Sequence, residues 1–215
     1  MANWIVTGVS GSLASACIAP LLALGKSIHG YSRKKIQDER ITFEHVSDYR
    51  SISFDTENCE GLLVAQGYFV YDQLIHMSNS EVSNLIEANF LSQIHTVHSF
   101  LQQLNSEKRV NIIILGSTNA YSAGKGTVIY GAAKAGMLAF VKALNNEYID
   151  TDIRFSLVST GTLANEMGSK VPNQDSSTLL DVDLVANEII RVATCESNLW
   201  QPEIIIRRRH IGLIS

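Results

Sequence analysis

The chain has 215 residues, 46% of them hydrophobic, and a net charge of −4. That suits one domain spanning residues 1–215 around a sizeable core, and the balanced, slightly acidic charge gives no basic field for nucleic acid or a membrane surface. Three scattered cysteines, Cys17, Cys59 and Cys195, have neither disulfide-framework nor metal-ligand spacing, so a reducing, cytoplasmic setting and no metal are expected. Residues 13–24 are apolar, but no Lys or Arg precedes them and they are too few to cross a bilayer, so export is not expected.

Residues 3–7 (NWIVT) read as a short buried strand. They run into Gly8-Val9-Ser10-Gly11-Ser12-Leu13-Ala14 and a helical pattern up to Leu24, in which Pro20 should kink or break the helix by removing a hydrogen bond. Strand, glycine-rich turn and helix together make a dinucleotide-binding unit, because the helix N-terminus offers free N–H groups and partial positive charge to a pyrophosphate. Gly25 ends the helix and residues 27–31 read as a second strand. Ser32, Arg33 and Lys34 come next, where an NAD-selective site wants an acidic residue; the first carboxylate is Asp38. A hydroxyl and two cations suit a 2′-phosphate, so NADP(H) is favoured over NAD(H).

Residues 41–46 alternate as a weak third strand, residues 47–54 suggest a short helix, and residues 61–65 (GLLVA) are a clear fourth strand leaving through Gln66-Gly67. A connection with Tyr68, Phe69 and Tyr71 leads to Ser78 and Glu81, spaced as a capping box. A long helix comes after it, its apolar residues from Val82 to Leu104 keeping a 3.6-residue period; Asn89 sits beside the buried face and needs a partner.

Residues 110–115 are an apolar, β-branched strand ending in Gly116-Ser117. After a polar loop, residues 118–126, helix formers run from near Thr127 to about Tyr148. Tyr130 and Lys134 then fall one turn apart on one face, with Ser117 across the loop at the strand's carboxyl end, where open α/β sheets bind ligands. A Lys ammonium about 4 Å from a phenol, at an effective dielectric of roughly 20, favours the phenolate by about 4 kcal/mol, or roughly three pKa units. That would bring Tyr130 into range for proton transfer, while the Ser117 hydroxyl could fix the same substrate oxygen.

Residues 153–158 read as a sixth strand leaving through Ser159, Thr160, Gly161 and Thr162. A polar loop, residues 163–178, could cover a substrate; residues 181–194 form a last helix and residues 203–207 a last strand. The basic run Arg207-Arg208-Arg209-His210 reads as a solvated strand end. The alternation predicts an α/β fold: a Rossmann-like, doubly wound parallel sheet of about seven strands, order 3-2-1-4-5-6-7, with helices on both faces.

With these residues assembled, the chain resembles the short-chain dehydrogenase/reductase family from about residue 3 to residue 161. The resemblance rests on Thr7-Gly8 with its turn, Ala65-Gln66-Gly67, Asn89, Ser117, and Tyr130 with Lys134, in the family's order. It implies an NAD(P)-dependent oxidoreductase acting on a small carbonyl or secondary alcohol. Tyr130 would be the acid–base, Lys134 would lower its pKa and hold the nicotinamide ribose, Ser117 would orient the reacting oxygen, and Asn89 would bind a relay water. Ser10, Gly11, Ser12 and Leu13 would surround the pyrophosphate, Ala65, Gln66 and Gly67 would line the adenosine side, and Thr160, Gly161 and Thr162 would lie near the nicotinamide. The family implies a homodimer or homotetramer. This sequence departs at Ser12 and Ala14, where the family turn commonly has glycines, at Gln66 for Asn, at His45 for Asp and at Thr160 for Pro, which implies weaker cofactor binding. Two further readings share the fold: a non-catalytic NADP-binding sensor or scaffold, suggested by the altered turn and Gln66, and a nucleotide-sugar epimerase or dehydratase, suggested by the spacing of Gly8, Gly11 and Ala14.

Overall fold

The computed structural model describes residues 3–104, 109–195 and 199–208. Seven strands form one sheet, each neighbouring pair parallel: β1 (Asn3–Thr7), β2 (Ser27–Ser32), β3 (Thr42–His45), β4 (Cys59–Val64), β5 (Val110–Leu115), β6 (Ile153–Thr160) and β7 (Glu203–Ile206). Their order, β3-β2-β1-β4-β5-β6-β7, is the expected one.

Strand alternation produces two separate cores. Ile5, Leu62, Val64, Ile112, Ile114 and Phe155 face one side, where they pack on Val97 and Phe100 of α4 (Ser92–Gln103) and Met137 and Val141 of α5 (Val128–Glu147). Trp4, Val6, Leu63, Ile113 and Val158 face the other, against Leu13 of α1 (Ser12–Ala16), Ile18 and Leu21 of α2 (Ile18–Ala23), and Val185 and Ile189 of α7 (Val182–Ala193). The central strands are therefore apolar on both faces, which is why they read as continuous hydrophobic runs.

Pro20 breaks the first helix upstream of itself. In a continuous helix its missing N–H would have bonded the Ala16 carbonyl, and its ring would crowd that oxygen. The chain instead ends α1 at Ala16, turns at Cys17 and restarts as α2, placing Pro20 in the new helix's first turn, where its N–H is not needed. Gly25, at φ +73°, ends α2: its N–H donates to the Leu22 carbonyl at 2.9 Å and that of Lys26 to Leu21 at 3.1 Å, satisfying two terminal carbonyls.

The long helix expected from Ser78 is interrupted. Ser78 and Glu81 form the capping box and α3 runs Asn79–Ile86, but residues Glu87–Leu91 wind as one π-helical turn before α4 begins. The 3.6-residue period of the apolar positions conceals this, because one wide turn rotates the pattern without erasing it. The short helix expected over residues 47–54 is a 3-10 turn at Tyr49–Ser51. The loop of residues 163–178 contains α6 (Glu166–Ser169) and a 3-10 turn at Ser176–Thr178. No described helix is long and apolar enough to cross a membrane.

Candidate active site

Strand β5 delivers Ser117 to the carboxyl edge of the sheet. Its hydroxyl oxygen accepts the Asn119 N–H at 3.2 Å, which leaves its own proton to donate. Tyr130, in the first turn of α5, faces the same cavity as Ser117, and its ring meets Phe69 edge-on at 5.0 Å between centroids. One turn further along α5, Lys134 is buried, with Nζ 5.8 Å from the Tyr130 ring centroid and donating to the Leu115 carbonyl at 2.8 Å. Helix and strand end thus bring Ser117, Tyr130 and Lys134 together as their spacing predicts.

The electrostatics differ from the expectation. Burial pushes the Tyr130 phenol above its ordinary value, the Ser117 hydroxyl pulls it the other way, and Lys134 is not among the groups that move it. The lysine has turned its ammonium towards Leu115, and burial lowers its own pKa to about 8. The protein's own groups therefore leave Tyr130 a neutral phenol at pH 7, ready to donate a proton, with a mostly protonated Lys134 nearby.

Asn89 sits in the π turn and is buried; its Nδ2 donates to the Tyr68 carbonyl at 2.8 Å and the Leu85 carbonyl at 3.0 Å. Its Oδ1 would lie 2.6 Å from a Cβ added at Gly67. The π turn thus seats the fourth candidate residue directly under the loop that leaves β4.

On the cofactor side, Gly8 adopts φ +70° and approaches β4's exit so closely that a Cβ would meet the Gln66 nitrogen at 2.5 Å. Gly11 caps α1 without any side-chain hydrogen bond, its own N–H donating to the Gly8 carbonyl at 2.9 Å; Gly11 and Ser12 are exposed and Ser10 half-buried, and the first N–H groups of α1 have no partner within the helix. This arrangement fits a pyrophosphate. Leu13 is buried in the core and can offer only backbone. Ser32 is buried and its hydroxyl proton is committed to the Lys34 carbonyl, so it shapes the turn and is not a free donor for a phosphate. Lys34 is exposed, and the Arg33 guanidinium lies 5.9 Å over the Tyr49 ring. The nearby carboxylate of Asp38 is engaged by Arg40 at 2.7 Å. His45 bonds the Arg33 carbonyl through Nε2 at 3.0 Å.

Ser117, Tyr130, Thr160, Gly161 and Thr162 line one cavity of about 600 Å³, whereas the glycine turn, Ser32 to Lys34, Ala65 to Gly67, Asn89 and Lys134 lie outside its wall. The cavity also takes in Phe69, Tyr71, Lys125, Arg207 and Arg208, which sequence reasoning had not placed there, and Gln174 of the 163–178 loop, which was expected to cover a substrate. Arg207 is exposed, as expected of a solvated strand end, whereas Arg208 is half-buried against that expectation; Arg209 and His210 lie outside the described residues. The available signal was topological. Strand β7 lies beside β6, so Arg207 and Arg208 emerge from it at the ligand-binding edge, with the Gly161 N–H bonded to the Ile206 carbonyl at 2.8 Å.

A sequence model of the family described as short chain dehydrogenase matches residues 56–176, more than half of the chain. The chain belongs to this family. Among relatives of this short chain dehydrogenase, 3-oxoacyl-(acyl-carrier-protein) reductase FabG of Buchnera aphidicola subsp. Acyrthosiphon pisum is 27% identical over 183 residues, 77% of this chain and 75% of that protein. Carbonyl reductase family member 4 of Xenopus laevis is 25% identical over 121 residues, 56% of this chain and 51% of that protein. A short-chain dehydrogenase/reductase from Vibrio parahaemolyticus matches in structure with a TM-score of 0.83 at 18% identity, covering 96% of this chain and 100% of that one. The closed form of a serine dehydrogenase complexed with NADP+ matches at 0.82 and 15% identity, covering 95% and 94%. At such identities the structural likeness shows the fold.

The family match takes in Gln66, Asn89, Ser117, Tyr130, Lys134 and Thr160 to Thr162, and leaves the glycine turn and Ser32 to Lys34 outside. Two features of this short chain dehydrogenase explain its departures on the cofactor side. The Gln66 side chain turns into the protein: its Oε1 accepts Thr7 Oγ1 at 2.6 Å and its Nε2 donates to Thr96 Oγ1 at 2.7 Å. The extra methylene relative to Asn lets it reach α4, so only its backbone remains for an adenosine contact. Ser12, for its part, accepts a hydrogen bond from Asn165 Nδ2 at 2.8 Å, tying the loop after β6 to the glycine turn.

Proposed function

We propose that this short chain dehydrogenase is an NADP(H)-dependent enzyme that interconverts a carbonyl and a secondary alcohol, with Tyr130 as acid–base. The observation that carries this is the shared cavity of Ser117 and Tyr130 with Lys134 one turn away. A bound nicotinamide supplies or accepts the hydride. In the reducing direction the Tyr130 hydroxyl gives its proton to the carbonyl oxygen as carbon receives hydride, and Ser117 donates a hydrogen bond to the same oxygen. Lys134, with its Nζ 5.8 Å from the Tyr130 ring centroid, would turn from the Leu115 carbonyl to balance the phenolate left behind, and Tyr130 recovers a proton before the next turnover. Asn89 positions the segment leaving β4 and supports the lysine end of the site. The relatives named as 3-oxoacyl and carbonyl reductases support carbonyl chemistry.

Gly8, Ser10, Gly11, Ser12 and the backbone of Leu13 would hold the pyrophosphate, Ala65 to Gly67 the adenosine side, and Thr160 to Thr162 the nicotinamide side. Arg33 and Lys34 favour NADP(H): neither is in an ion pair among the described residues, and the neighbouring Asp38 is already paired with Arg40. The enzyme would work in the cytoplasm as a homodimer or homotetramer built of single-domain chains.

The test is NADPH oxidation across a panel of ketones, aldehydes and oxo acids with wild type and Tyr130→Phe. Turnover that Tyr130→Phe abolishes, with NADPH binding retained, supports the mechanism; equal turnover in the two proteins sinks it. The hydrogen bond from Asn165 to Ser12 and the inward turn of Gln66 favour a second reading, a nicotinamide-state sensor, which NADPH binding without any turnover would bring forward.

A further inference from the structure

The cavity containing Ser117 and Tyr130 carries more positive charge than carbonyl chemistry needs. Its wall includes Lys125, Arg207 and Arg208 and no carboxylate. None of the three is in an ion pair among the described residues. The nearest acid on the same strand, Glu203, is bound to Lys142 at 3.2 Å.

Arg208 is the one cation of the three that the protein fixes in place. It is half-buried, and its Nη1 donates to Gln174 Oε1 at 2.8 Å and Thr178 Oγ1 at 3.4 Å. Gln174 is itself held, donating from Nε2 to Thr162 Oγ1 at 3.4 Å. The Arg208 backbone nitrogen lies 3.7 Å from where a Gly161 Cβ would be, beside the end of β6. All its partners are neutral, so the guanidinium is oriented without being compensated. A guanidinium has five donors, and both bonds here leave from Nη1, so Nη2 and Nε still present the fork that matches a carboxylate or phosphate.

We propose that the substrate carries an anionic group, a carboxylate or phosphate, that Arg208 anchors while Arg207 and Lys125 add attraction. This rests on the carbonyl–alcohol reading and names the substrate class of that site. Arg208 would act as a specificity-determining residue, setting which end of the molecule points away from Tyr130. The apolar part of the wall, from Phe69, Leu163, Met167 and Val171, would cover a short carbon chain between the anion and the reacting carbon.

The experiment compares short oxo acids and phosphorylated ketones with their neutral counterparts, the methyl esters and unphosphorylated ketones, by NADPH oxidation in wild type, Arg208→Gln and Arg208→Lys. A circular dichroism melt of each variant checks that it folds as wild type does. The acids or the phosphates should exceed the neutral compounds in kcat/KM by about 10- to 100-fold, the range for a hydrogen bond to a charged group. Arg208→Gln should bring the anion-to-neutral ratio of kcat/KM close to one, through KM for the anion, and Arg208→Lys should restore part of the preference. Whether the acid or the phosphate gains more identifies the group. Equal use of anion and neutral counterpart by wild type, or turnover confined to neutral N-acetylcysteamine thioesters, would overturn the proposal while upholding the carbonyl chemistry. Should nothing turn over, saturation-transfer NMR with the same compounds decides. An anion that binds wild type and not Arg208→Gln keeps the anion site and removes the oxidoreductase reading, whereas no difference between anion and neutral compound removes the anion site.

Discussion

Lys134 sets stability against function in a way that can be measured. Its side chain is 4% exposed, and its ammonium bonds one backbone carbonyl, that of Leu115. Burial lowers its pKa from the ordinary 10.5 to about 8. Between those values the unfolded chain holds a proton that the folded chain has released, so this group makes stability rise with pH across that window. Below about pH 8 the cost of the buried charge is present in full, and the shift corresponds to about 3 kcal/mol. Lys134→Met keeps the apolar stem, removes the charge and leaves the Leu115 carbonyl without its donor, which costs about 1–2 kcal/mol. The variant should therefore be more stable than wild type at pH 7 by about 1–2 kcal/mol. At pH 10.5 and above, where wild type carries a neutral lysine that keeps its hydrogen bond, the order should reverse. Urea unfolding of both proteins at a series of pH values from 7 to 10.5 measures the difference, and groups elsewhere titrate alike in both and cancel. A stability difference that stays constant with pH, or a Met variant weaker at pH 7 than wild type, would refute the claim that the buried ammonium destabilises the fold. The same variant should have lost turnover, since nothing would then balance the Tyr130 phenolate.

Three further substitutions probe the frame around the site. Arg33→Ala should weaken NADPH by about tenfold, the loss of one charge-assisted phosphate contact, and leave NADH unchanged; nicotinamide fluorescence titration reads both. Gly67→Ala places a Cβ 2.6 Å from Asn89 Oδ1 at φ +155°, so it should lower stability by about 1–3 kcal/mol in urea unfolding and shift Asn89, with turnover falling even where the fold survives. Ser78→Ala removes the side-chain half of the capping box at the start of α3, leaving the position-78 backbone N–H on Glu81, and should cost about 1 kcal/mol without touching kinetics; a kinetic effect would show that the α3 end is coupled to the site.

Strand order and the convergence of Ser117, Tyr130 and Lys134 were legible because each rests on a strong local signal. Runs such as residues 110–115 are apolar on both faces, as only central parallel strands are, and Tyr130 and Lys134 share a face by helical geometry alone. The π turn was not legible: one wide turn at Asn89 adds a residue without changing which residue types are buried. The helix break expected from Pro20 falls at Cys17, upstream of the proline, because a proline acts on the carbonyl four residues before itself. That Arg207 and Arg208 border the cavity was not legible, because sequence distance from Ser117 hides that β7 closes the sheet beside β6. The depressed pKa expected of Tyr130 required knowing where the lysine's ammonium points, and that is fixed by the Leu115 carbonyl rather than by spacing.

The inward turn of Gln66 links these features into one structural unit. Thr7, at the end of β1, donates to its Oε1; its Nε2 reaches Thr96 and the Ser92 carbonyl; and Gln93 returns a hydrogen bond to the Gln66 carbonyl at 2.6 Å. All five residues are buried, so each bond is made where water cannot replace it and an unmade one is costly. The network runs from β1 across the exit of β4 to the first two turns of α4, immediately after the π turn that carries Asn89. Losing any member would strand its partners, so the ends of β1 and β4 are held to the start of α4 as one unit. An Asn at position 66 would be one methylene too short to reach Thr96 from the same backbone. The chain has thus given its side chain at this position to rigidity. It leaves the adenosine side to backbone groups and to Arg33, and so discrimination between the two nicotinamide dinucleotides should rest on that arginine more than on the loop leaving β4.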